Sequence, residues 1–304
     1  MQQLTFTMLE LFALVLVGFV ANRLHYTTAD SDKKLSGLII DFTCPALVLS
    51  SVMGDRLPDR DLILPLLAIG FLTYLLLTPI ALFLPNALKP KEGEKGIYGF
   101  MMIFGNVGFI GYPIVASIFG SNAIFYASVL NFPNTFFVFV LGSALISGGG
   151  KIRFNWKTLV STPMLASYLS ILIVFMGWDN IPEVISKPIT LLGNITVPAS
   201  LLIIGSQMAQ MPLKKMVGTW RIYFSAGIKL FAAPLLLFSL FSLLDFNEEV
   251  VRINTIVIAT PVAAYGTILC LKYNRDMSII TQATFLTNLL SVVTIPIVAG
   301  IIGV

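Results

Sequence analysis

Long apolar runs separated by short polar pieces organise the chain. A helix that crosses a bilayer needs about 20 mostly apolar residues. Ten runs of that length fall at roughly 4–22, 35–53, 62–84, 97–119, 122–147, 158–178, 184–208, 222–244, 250–272 and 278–303. The pieces between them are short, such as "KPKEGEK" at 89–95 and "GGGKIRFNWK" at 148–157, and none is long enough for a soluble domain. The first run has no basic residue before it, contains Glu10 and is followed by Arg23. It therefore reads as a retained helix and not as a signal peptide.

Two runs carry helix-weakening residues at their centres. "GNVGFIGYPIVASIFG" at 105–120 holds four glycines and Pro113 without a charge. In lipid, freed backbone groups are tolerated only where protein or a water-filled cavity receives them, so a broken, protein-buried helix is expected. "NVGFIGYP" at 106–113 and "NTIVIATP" at 254–261 share Asn, six residues, Pro, and lie 148 residues apart. "DFTCPA" at 41–46 and "NITVPA" at 194–199 share [D/N]-x-T-x-P-A, 153 apart. Two matches in the same order predict a duplicated five-helix unit, 1–147 and 158–304, joined by a short loop at 148–157. Five is odd, so the second copy enters the membrane inverted. Paired broken helices in inverted repeats point to a transport site, and half-helix N-termini there would suit an anion.

Composition agrees with lipid as the solvent. Only 11% of residues are charged and mean hydropathy is +0.90, where a soluble domain carries about 25% charged residues. The formal charge of +4 does not point to nucleic acid, because the basic residues sit in loops beside apolar runs. Fourteen of the nineteen Lys and Arg follow runs 1, 3, 5, 7 and 9, four lie on the opposite side, and Lys229 falls within run 8. The positive-inside rule then puts the odd loops in the cytoplasm and both termini outside. Cys44 and Cys270 lie in different runs and read as small core thiols. His25 is the one histidine, so no His-rich metal site is expected, and no cofactor.

"GNVGFIGYPI", "TVPASLLIIGSQMA" and "ATPVAAYGTILCLKYNRD" followed by "TFLTNLLSVVTIPI" resemble the auxin efflux carrier family, plant auxin exporters and bacterial permeases for small organic acids. The resemblance spans nearly the whole chain. It implies an all-α membrane fold of ten helices like the bile-acid symporters and sodium–proton antiporters. Helices 1, 2, 6 and 7 would form a scaffold and homodimer surface, and helices 3–5 and 8–10 a transport domain. Helices 4 and 9 would cross at their breaks, and the transport domain would shift like an elevator. It further implies that Asn106 contacts a substrate carboxylate and that Pro113 and Pro261 are the crossover prolines. The long cytoplasmic loop of the plant proteins is missing here, so loop regulation is not carried over.

The candidate substrate-binding set is Asn106, Gly108, Gly111, Pro113, Asn254, Pro261, Asn134 and Asn288. Asn131, Thr135, Gln282 and Thr287 could line the same place or serve interhelical hydrogen bonds. Asp41 and Lys229 are ionisable residues within runs, which are functional candidates by default. Lying about six and seven residues in from the cytoplasmic side, they could pair across the moving boundary as a coupling or gating device. Alternatively Lys229 snorkels to the headgroups and Asp41 hydrates a vestibule. Glu10 reads as structural. The expected function is secondary transport of a small organic anion, a mono- or dicarboxylate, across the cell membrane, with no enzymatic activity. A sodium-coupled symporter and a channel-like facilitator are the alternatives; the crossover carries no carboxylate, which counts against sodium. No second histidine, paired intramembrane aspartate or G-x-x-x-x-G-K-[ST] motif supports an enzyme or ATPase.

Overall fold

The computed structural model describes residues 2–54, 57–148, 160–210, 218–244 and 246–304, with side chains from Leu9 onward except Leu271. Most of the 148–157 loop, from residue 149, lies outside the described residues. In order, the helices are α1 (Gln2–Arg23), α2 (Ala29–Leu38), α3 (Cys44–Ser50), α4 (Ile63–Phe83), α5 (Lys95–Ile103), α6 (Tyr112–Phe119), α7 (Ala123–Phe137) and α8 (Ser143–Ser147). They continue as α9 (Thr162–Met176), α10 (Glu183–Asn194), α11 (Thr196–Ala209), α12 (Trp220–Gly227), α13 (Ala233–Leu243), α14 (Glu248–Ile258), α15 (Tyr265–Lys272) and α16 (Ser278–Ile301). The described residues form no strand beyond a single isolated bridge.

Among the described residues five helical stretches are long and apolar enough to cross a membrane: Arg60–Leu88, Ala123–Ser147, Glu183–Ala209, Trp220–Leu243 and Ser278–Ile301. This is an integral membrane architecture. The runs 97–119 and 250–272 are each interrupted, and α9 is only 15 residues long. The second run starts earlier than its apolar residues suggest. Thr28 caps α2 through the Ser31 backbone N–H, and Ser31 returns a bond to Thr28 N, a reciprocal cap that starts a helix among polar residues. Asp41, expected six residues into the helix, therefore has a further six helical residues before it, and Asp32, expected in the loop, lies in the first turn.

Among the described residues four π turns interrupt the helices: Ile39–Thr43, Val107–Gly111, Val138–Gly142 and Ile228–Ala232. Three of them end two residues before a proline, namely Pro45, Pro113 and Pro234. Proline has no N–H to offer and crowds the preceding turn. The residue before it then reaches back five positions: Cys44 N–H donates to the Ile39 carbonyl, and Ala233 N–H to that of Ile228. The ladder widens instead of breaking.

The chain forms two compact units. The first comprises Met1–Leu64, Gly108–Val129 and Trp156–Pro212. In it α1 lies along α11. A methyl on Gly18 would sit 2.7 Å from Leu202 Cα, and one on Gly205 would sit 2.7 Å from Phe19 N, so only glycine lets the two backbones meet. This is the small-residue packing of membrane helices, where lipid offers no hydrophobic drive. Gly193 of α10 likewise meets the Leu47 backbone of α3.

The second unit comprises Pro65–Val107, Leu130–Asn155 and Leu213–Val304. Gly96 and Gly99 of α5 face the backbones of Leu145 and Ala81. Tyr74 stacks on Phe104 and Phe137, with centroids 5.7 and 5.4 Å apart. Two arginines close helix ends. Arg221 donates to the Leu88 and Lys89 carbonyls, both at 2.9 Å, and Arg275 to those of Ile146 and Ser147 at 3.1 and 2.7 Å. Terminal carbonyls lack intrahelical donors, and cations favour helix C-termini.

Candidate functional site

The site is built where two helices of the second unit stop. α5 ends at Ile103, and Phe104 is extended, with φ −93° and ψ 126°. α14 ends at Ile258, before Pro261, which biases Thr260 away from helix. The two interruptions run antiparallel, with Gly105 bridged to Val262. Asn106 N–H donates to the Pro261 carbonyl at 2.8 Å, and Ala263 N–H to that of Phe104 at 3.1 Å. Each break thus satisfies backbone groups freed by the other, which burial requires. Thr287 of α16 holds the second break, its Oγ1 accepting from Val262 N–H at 3.0 Å. Thr260 Oγ1 donates to the Val257 carbonyl at 2.7 Å.

Lys229 reaches this bridge. Its side chain is 0% exposed, and Nζ donates to the carbonyl of Ile258, the last residue of α14. A methyl on Gly105 would lie 3.0 Å from Nζ and would overlap Thr260 Oγ1. Glycine at 105 therefore keeps the bridge and the lysine head in contact. The π turn Ile228–Ala232 carries Lys229, adding one residue to that turn of helix. Among the described residues the ion pairs are Lys34–Asp30, Lys187–Glu183 and Arg252–Glu248. Lys229 is in none of them. Its Nζ has three donors and Ile258 takes one, so the bridge holds a basic group able to bond an anion.

The other sequence candidates fall in different places. Asn254 is 2% exposed and donates to Thr73 Oγ1 at 3.0 Å. Asn134 is 6% exposed, accepts from Tyr74 OH at 2.7 Å and donates to Asn131 Oδ1 at 3.0 Å. Through the Tyr74–Phe104 stack it touches the first break indirectly. Asn288 follows Thr287, and its Oδ1 is buried without a hydrogen-bond partner. Pro261 is buried in the second break. Gly108, Gly111 and Pro113 belong to the first unit. Gly108 has open space where a Cβ would stand, and Pro113 lies within the helical stretch Val107–Phe119, just after the π turn that accommodates it. Asp41 lies in the π turn Ile39–Thr43 of the first unit and is exposed. Sequence reading missed Thr73, Thr260 and the Ile258 carbonyl, which are ordinary helix residues until the breaks are folded. A pocket of about 880 Å³ in the first unit, between Met53–Gly54 and Asp179–Leu191, is lined by the paired Lys187 and Glu183 and by Asp179, so its charge balance is negative and does not favour an anion.

The chain matches the family model described as membrane transport protein over residues 4–153 and 147–299. It is similar to an uncharacterised transporter of Methanocaldococcus jannaschii, 25% identical over 93% of each chain. An uncharacterised transporter of Methanothermobacter thermautotrophicus is 24% identical over 96% of each chain. A Rhizobium meliloti protein named "Putative malonate transporter" is 22% identical, over 97% of this chain and 94% of its own. These relatives are named as transporters and not as enzymes. With apolar helices of spanning length and a family match along nearly its whole length, the chain belongs to the membrane transport protein family, that of the auxin efflux carriers.

Proposed function

We propose that this protein is a secondary transporter of a small organic anion, a mono- or dicarboxylate, and that the anion binds at the bridged helix breaks. The observation that carries this reading is Lys229, buried against the bridge with the Ile258 carbonyl as its acceptor. A carboxylate could replace or join that carbonyl as acceptor. Asn106 stands at the start of the helix stretch leaving the first break, where N–H groups and the positive dipole end favour anions. The malonate named for the Rhizobium meliloti relative is a dicarboxylate of the expected kind.

In this reading the ten runs are ten spans in two inverted repeats, and access alternates by an elevator-type movement. The odd-numbered loops face the cytoplasm of a cell-membrane protein, and two copies pair through the scaffold helices. Asn106→Ala should weaken substrate binding about ten- to a hundredfold, the loss of a hydrogen bond to a charged partner. Calorimetric titration of malonate and monocarboxylates into purified protein measures it. Unchanged affinity would remove Asn106 from the site.

The orientation has its own test. Single cysteines at Gly54 and Gly148, in a background without Cys44 and Cys270, are offered an impermeant maleimide in sealed right-side-out vesicles. Gly54→Cys should label and Gly148→Cys should not; the reverse would invert the assignment.

A further inference from the structure

Among the described residues two charged side chains are buried, Lys229 and Asp32, and the transport reading uses only the first. Asp32 stands in the first turn of α2, within the first unit, and is 2% exposed. Its two oxygens are treated unequally. Oδ2 accepts from Ser206 Oγ and from Gln210 Nε2, each at 2.6 Å. Oδ1 is buried with no hydrogen-bond partner. Around them Thr27 Oγ1 lies 2.7 Å from Ser206 Oγ, and Asn22 Nδ2 donates to Ser206 Oγ at 3.1 Å and to the Thr27 carbonyl at 3.0 Å. Ser206 has one proton and gives it to Asp32, so Thr27, Asn22 and Gln210 act as donors toward the Ser206–Asp32 pair.

Two short bonds converging on one oxygen are the pattern of an ionised carboxylate. A buried charge is costly unless paired. The basic residues nearby in sequence are engaged elsewhere: Lys34 pairs with Asp30, Lys33 is exposed, and Arg23 lies over the Phe19 ring at 5.3 Å. Asp32 is in none of the three described ion pairs. None of these basic groups supplies the counter-charge, and Oδ1 is the carboxylate oxygen left without a partner. Carboxylate, hydroxyl and carbonyl oxygens suit a hard cation. With a single carboxylate, one positive charge neutralises the cluster and two would leave an excess.

We propose that Asp32, its Oδ2 fixed by Ser206 and Gln210, binds a monovalent alkali cation through Oδ1. Gln210 is exposed, so the ion is one side chain from solvent. The site shares no residue with the helix breaks, and it stands or falls independently of the substrate reading.

The test is thermal unfolding of the purified full chain in detergent, in sodium, potassium or lithium chloride against choline chloride at equal ionic strength. At least one alkali ion should raise the midpoint, by about 2–4 °C at ten times its Kd and further with the logarithm of its concentration. Asp32→Asn should abolish the increment, and Asp41→Asn should keep it. Should Asp32→Asn fail to fold, Ser206→Ala is the second variant. It should raise several-fold the cation concentration needed for a given increment, and an unchanged concentration dependence overturns the proposal. So does a midpoint indifferent to alkali ions, or an increment that survives in Asp32→Asn. An equal increment produced in choline by lowering the pH would make the occupant a proton and also overturn it.

Discussion

Lys229→Met is expected to cut transport in proteoliposomes about a hundredfold. The substitution strands the Ile258 carbonyl and removes the basic group that bonds the bridge. A hydrogen bond to a charged group contributes about 1.5–3 kcal/mol, and about 2.7 kcal/mol is a hundredfold. If the lysine attracts the anion, the apparent substrate constant should rise. If it only holds the two breaks together, the maximal rate should fall and the constant should stay. Lys229→Arg separates charge from shape, because the longer planar head must clear Thr260 and the backbone at Gly105. Combining Lys229→Met with Asp41→Asn tests the gating idea: recovery of part of the loss would couple the two residues, and additive losses would separate them. Wild-type rates in Lys229→Met would remove the lysine from the mechanism.

Gly205→Val should cost the first unit a large part of its stability. The new side chain would meet the Val15 carbonyl and Phe19 N of α1. Overpacking ordinarily costs about 1–3 kcal/mol because neighbours shift rotamer. Here the obstacle is backbone, so α1 must separate from α11 along its length and the cost should reach the top of that range. Gly37→Val, where no atom lies within 4 Å, is the matched control. Thermal unfolding in detergent should show a drop of several degrees for Gly205→Val and little for Gly37→Val. Equal midpoints would mean the two helices are not held as closely as the structure has them.

The helical and membrane character was legible because run length and low charge depend on composition alone. That runs 97–119 and 250–272 are interrupted was legible too, since Gly105 and Pro261 act on their own backbone, but Pro113, the expected partner of Pro261, lies within the helical stretch Val107–Phe119 and not in the first break. The contacts of Lys229 were not legible. Depth along a helix gives the distance from its end, whereas the facing direction depends on a π turn that the sequence marks only through Pro234. Asn254 and Asn134 stand out by spacing, but their partners Thr73 and Tyr74 come from α4, a run without any distinguishing motif. Asp32 looked like a loop residue because its neighbours are polar; the Thr28 cap, and not apolar periodicity, draws it into a helix.

A π turn is also a stored insertion. Each one holds a residue more than an α-helix of the same length requires, so the strand of chain before it is rotated by about 100° against the chain after it, one residue's share of a 3.6-residue turn. Deleting a single residue between Ile228 and Ala232 would return that share. Depending on whether the excised residue lies before or after Lys229, the lysine would keep its register with α12 or with α13, and in one of the two it would face away from Ile258. Insertions and deletions usually disrupt a membrane helix wholesale. At these four positions the chain already carries the extra residue, which makes them the places where length variation among related sequences should be sought and where a functional side chain can be re-aimed without changing its identity.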